Sequence, residues 1–127
     1  MAMSVTVTEK LGPRVRKITF DFVSAADGTA TKTYFVSGTI VRVTFDPGAV
    51  APTDNWDVTL TDPHGIDVLA GQGANIDTAN TSHVCPGMPI TDGTTVGVVP
   101  IAVADDLILA IANAGDSKTG KVILYVM

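Results

Sequence analysis

Apolar and polar side chains alternate with a period of two along much of this chain. Trp56, Val58 and Leu60 alternate with Asp57, Thr59 and Thr61, and Ile18, Phe20 and Phe22 alternate with Lys17, Thr19 and Asp21. That period belongs to a strand with one buried face. Residues 39–45 are β-branched at nearly every position, which suits a strand and suits a helix poorly. Residues 31–36, rich in Thr and aromatics, and residues 121–126 read as further strands. Residues 3–9 alternate Ser or Thr with Val and predict a first strand or an extended arm. Residues 96–103 are apolar except Gly97 and predict a strand buried on both faces, with Pro100 as a break. Residues 107–112 fit a two-turn helix capped by Asp105, or a strand with Leu107, Leu109 and Ile111 on one face. The strand is preferred because the helix would stand alone among strands.

Turn chemistry separates these runs. Gly12-Pro13, Asp27-Gly28, Gly38, Asp46-Pro47-Gly48, Asp62-Pro63-His64-Gly65 and Asp105-Asp106 carry the residues that turns require. The Asp62 turn predicts a hairpin whose return strand is 66–69. Residues 71–95 hold several Gly and Pro and little periodicity, so they predict an ordered excursion with a short strand or turn near Ser82–Cys85. The fold class expected is all-β: an antiparallel β-sandwich, immunoglobulin-like or jelly-roll, of about seven to nine strands. The predicted organisation is an N-terminal strand or arm over 1–13 and one sandwich domain over 14–127. Its predicted core is Ile18, Phe20, Phe22, Val41, Val43, Phe45, Trp56, Val58, Leu60, Leu107, Leu109, Ile111, Val122 and Leu124.

Composition narrows the function more than the fold. The 127 residues are 46% hydrophobic but only 17% charged, and the net charge is −5. The low charge agrees with a protein that buries surface in an assembly, and also with a plain Thr-rich β protein; the assembly is preferred. Eight cations against thirteen acids disfavour nucleic-acid binding. Locally, however, Lys10, Arg14, Arg16 and Lys17 hold half of the cations. They read either as a charge-guarded strand edge or as a docking patch for an acidic protein surface. No secretory signal or membrane-length apolar run is present, so the chain is expected to be made in a cytoplasm and to need no membrane.

Catalytic and metal chemistry find little support. Ser82-His83-Val84-Cys85 brings a hydroxyl, an imidazole and a thiol together, but in an extended chain Ser82 and His83 diverge and no orienting group accompanies them. Cys85 reads as a small buried hydrophobe. His64 reads as an exposed turn residue rather than a ligand with Asp62 or Asp67. The loop aspartates fit no calcium-loop pattern. Gly71-Gln72-Gly73-Ala74-Asn75 lacks the third Gly and the Lys of a phosphate loop. No enzymatic activity, cofactor or metal is expected.

Three blocks carry a family resemblance. They are Phe45-Asp46-Pro47-Gly48 with 51–60, Gly65-Ile66-Asp67-Val68-Leu69-Ala70-Gly71-Gln72-Gly73-Ala74-Asn75, and Asn113-Ala114-Gly115 with Val122-Ile123-Leu124-Tyr125. Over roughly residues 16–127 the chain resembles small phage and prophage virion structural proteins. That resemblance implies a capsid decoration, or cement, protein: a β-sandwich, commonly a trimer, on the virion capsid surface, with the major capsid protein as partner. A tail-fibre or baseplate component with a receptor- or carbohydrate-binding role is the alternative, which the small number of free aromatics disfavours. The segments least explained by the sandwich are the expected contact regions. These are residues 1–17, with Lys10, Arg14, Arg16 and Lys17, and residues 71–95, with Gln72, Asn75, His83 and Met88.

Overall fold

The computed structural model describes residues 2–91 and 96–127, without the side chains of 88–91 and 96–98. Its elements are β1 (Ser4–Leu11), β2 (Arg16–Val23), β3 (Ala30–Pro47), β4 (Asp57–Thr61), β5 (Ser82–Val84), β6 (Gly87–Thr91), β7 (Val96–Ala112) and β8 (Thr119–Val126). The fold is all-β and every pairing between strands is antiparallel. Among the described residues there is no helix, so residues 107–112 are strand.

The architecture turns on β3. Its first half, up to Ile40, pairs with β7, whereas its second half pairs with β8 on one edge and β5 on the other. Two layers result. One runs β1-β2-β8-β3-β5, and the other consists of the first half of β3, then β7, then β4. The crossing point is visible in the backbone. Gly38 has φ 127°, a value side chains resist, and the register shifts between Ile40 and Arg42. That bulge explains two differences from the sequence expectation. Residues 31–36 and 39–45 are one strand rather than two, and Ile40 is buried while Val41 is only half-buried.

β7 is equally long. Asp105-Asp106 is not a turn but the middle of the strand, opposite Val36 and Phe35. Pairing on the β3 side holds those two residues extended, and that outweighs their turn preference. The first five residues of β7 pair only with β6. Val99, Pro100 and Ala102 are exposed, so this stretch is not the doubly buried strand its apolar run suggests.

The core lies between the layers. Phe22 packs 5.5 Å from Trp56, and Phe45 meets the same indole edge-on at 6.4 Å (centroid distances). The other predicted core residues, Val41 apart, are buried, and Leu69, Ile76 and Val126 join them. Ser24 is buried at one end. It donates to the Gly115 carbonyl at 2.5 Å and accepts from the Lys118 amide at 2.8 Å, which ties the β7–β8 loop to β2.

The return strand predicted at 66–69 does not form. The Asp67 carboxylate instead accepts the amides of Leu60, Leu69 and Gly71, each at 3.1 Å. Ala70 and Gly71 then take positive φ, and the chain winds through turns along β4. Bonds from Val68 to the Leu60 carbonyl and from Val58 to the Gly73 carbonyl cover that edge of the sheet. On the opposite flank β1 and β3 lie side by side without a ladder. Side chains close the seam: Met3 Sδ accepts the Thr31 amide, the Tyr34 hydroxyl donates to Glu9, and Arg16 reaches Glu9 and the Ser37 carbonyl.

Candidate protein-binding face

The register of the first layer assembles a row that the sequence scatters. Lys10 pairs with Lys17, Lys17 with Tyr125, and Tyr125 with Arg42. Residues directly opposite share a face. Lys10, Lys17 and Arg42 are exposed, so the row stands on the outer side of four adjacent strands. Arg42 lies over the Tyr125 ring, its Cζ 4.0 Å from the centroid. The guanidinium is thereby held over the sheet by the π face. Among the described residues none of the three cations has a carboxylate within ion-pair distance, and the ion pairs found are Arg16–Glu9 and Lys121–Asp21. Lys10 and Lys17 face each other directly, and like charges so placed across a ladder are unfavourable, so that pair detracts from folding.

The predicted contact residues divide. Lys10 and Lys17 form the row, and Arg14 is exposed in the β1–β2 turn beyond it. Arg16 has opposite parity and stitches the seam, 2.9 Å from Glu9. His83 sits on β5 opposite Thr44, one register row from Arg42, and is exposed. Gln72 and Asn75 are elsewhere, in the turns along β4. The Asn75 amide donates to Asp57 at 3.0 Å. Met88 pairs with Val99 in the β6–β7 hairpin, and its side chain lies outside the described residues.

Arg42 and Tyr125 were missed by sequence reasoning. The available signal was parity: Arg42 is the lone cation within the β-branched residues 39–45, on the face opposite Val43 and Phe45. Its alignment with Lys17 depends on a ladder to the C-terminal strand, which no local pattern reveals.

The reactive side chains are dispersed. Cys85 is exposed rather than buried, since it follows the end of β5 at Val84 and is outside the ladder. Among the described residues no side-chain bond orients His83, and no three His, Cys, Asp or Glu side chains gather to hold a metal. His64 is exposed in its turn, where the Asp62 carboxylate accepts the amides of His64 and Ile66. An open groove of about 350 Å³ crosses the same outer face nearer the other end. Its walls offer hydroxyls, backbone and the Asp21–Lys121 pair, 3.5 Å apart.

Comparison with known proteins finds no matching family model and no matching curated protein.

Proposed function

We propose that this chain is a non-enzymatic virion structural protein, a capsid decoration protein that docks its cationic row onto an acidic surface of the major capsid protein lattice. The row of Lys10, Lys17 and Arg42 about Tyr125 carries this reading. The opposed Lys10 and Lys17 are costly in the free chain, and all three cations become favourable against carboxylates. They occur in a chain of net charge −5, which otherwise repels an acidic partner. The tyrosine and the stacked guanidinium supply the rigid contact that interface centres favour. The resemblance of residues 16–127 to phage structural proteins supplies the class of partner.

The test is co-sedimentation of the full chain with phage heads assembled without it. Saturable binding in hundreds of copies per head, weakened by salt and abolished by Lys17→Glu with Arg42→Glu, is the expected result. Binding indifferent to both substitutions, or a handful of copies per particle by quantitative mass spectrometry, overturns the reading.

A further inference from the structure

The outer face of the second layer is the chemical opposite of the cationic row. Among the described residues it carries no Lys or Arg, since Lys32 of β3 has the parity of the other face, opposite Leu109, and most of its side chains are Ala, Ser or Thr. Two large apolar residues stand above that floor: Phe35, 58% exposed, and Ile108, 43% exposed. The ladders arrange the face in rows. Thr33, Ile108 and Thr61 form one; Thr31, Ala110 and Thr59 form the row on one side of it; Phe35 and Asp106 form the row on the other.

These rows are complementary to one another. The Phe35–Asp106 row has one bulky knob and one acceptor. The Thr31–Ala110–Thr59 row has small side chains and two hydroxyl donors. The row between them is apolar at its centre and hydroxylated at both ends, so it matches itself. We infer that this face binds the same face of a second copy, through a two-fold axis lying in the interface along the Thr33–Ile108–Thr61 row.

That axis exchanges the flanking rows. Ile108 meets Ile108 of the second copy, and each Phe35 lies over Thr31 and Ala110. Each Asp106 carboxylate comes beside hydroxyls that donate to it. The two Asp106 side chains are then ~14 Å apart, four residue steps along a strand, which is beyond the Debye length at physiological salt. An isologous contact requires this reciprocity. The size also suits a second copy. Residues 102–112 of β7 span ~36 Å beside β3, and β4 adds only five residues, so strands ~4.8 Å apart give ~400 Å² per copy. About 800 Å² over both copies lies below the standard specific interface and in the range of weak, transient contacts, which fits a reversible dimer. The carboxylate disfavours an anionic membrane or a nucleic acid as occupant. The pairing is two-fold, unlike the trimer that the resemblance implies, and it does not rest on the proposed capsid role.

Sedimentation equilibrium of the full chain tests the pairing. A monomer–dimer equilibrium in the micromolar range is expected, with Phe35→Ser raising Kd at least tenfold. In a Cys85→Ser background, Ile108→Cys should cross-link to itself on oxidation, because it lies on the axis, whereas Phe35→Cys should not. A strictly monomeric chain, a trimer, a dimer indifferent to Phe35→Ser, or self-cross-linking at Phe35→Cys instead of Ile108→Cys overturns the inference.

Discussion

Phe22 faces Gly120 across the β2–β8 ladder, and its ring occupies the space that a side chain at position 120 would need. A Cβ there would stand 2.8 Å from the ring Cζ and 3.2 Å from the Asp46 carbonyl oxygen. A retreat of the ring would disturb its packing on Trp56. Gly120→Ala should therefore destabilise by about 1–3 kcal/mol, the usual range for overpacking. Urea unfolding should show a lower midpoint with an unchanged slope.

Asp67 holds the irregular segment against β4 through three amides. Hydrogen bonds to a charged acceptor contribute roughly 1.5–3 kcal/mol each, less where water can substitute. Asp67→Ala should cost about 2 kcal/mol, and hydrogen exchange at Leu60 should accelerate well before exchange at the centre of β3. A uniform change across the sheet would contradict a local edge-covering role.

Tyr34 should titrate late. Its hydroxyl donates to Glu9, and that bond is the leading reason its pKa is raised above the ordinary 10.0, with burial and the Glu9 charge adding to it and Arg16 opposing. A raised folded-state pKa stabilises the fold below the unfolded value and loses that contribution as pH rises through the folded one. Absorbance titration should resolve one tyrosinate appearing above pH 10, and Glu9→Gln should bring it back down.

Asp77 gives the opposite slope. The Ala79 amide, then the Asn80 side chain, lower its pKa below 3.8. A lowered folded-state pKa stabilises above the unfolded value, and the contribution is lost as pH falls through the folded one. Asp77→Asn should thus lower Tm at pH 7. The gap between variant and parent should close as both are acidified below about pH 4, the ordinary range of the unfolded carboxylate.

Lys17→Glu should separate stability from docking. It turns the Lys10–Lys17 repulsion into attraction, so stability should stay level or rise by up to ~0.5 kcal/mol. Binding to phage heads should fall at the same time. A substitution that weakens both equally would place Lys17 among residues needed for folding.

The strands were legible where alternation is strong. Residues 18–22 and 56–60 carry a local pattern that the ladders retain. Legibility failed where distant partners decide the backbone. Gly38 suggests a break, yet β3 continues because β7 and the C-terminal residues pair on either side of the crossing. Asp105-Asp106 suggests a turn, yet a ladder holds it extended. The stretch 66–69 suggests a strand, but one carboxylate collects its amides into turns. Of the candidate face, Lys10 and Lys17 were readable as a local charge cluster. Arg42 and Tyr125 were not, since their adjacency comes from cross-strand register alone.

The passage of β3 through both layers has a mechanical side. Phe35 and Arg42 belong to one covalent strand, yet they serve opposite outer faces. A load applied between a partner held at the cationic row and a second copy held at Phe35 would run along that strand's backbone, with the β7 and β8 ladders gripping its two halves in shear. The sandwich would then act as a tie between its two contacts, and separating them would require shearing the β3 ladders, whose hydrogen bonds share the load, rather than sliding one layer over the other.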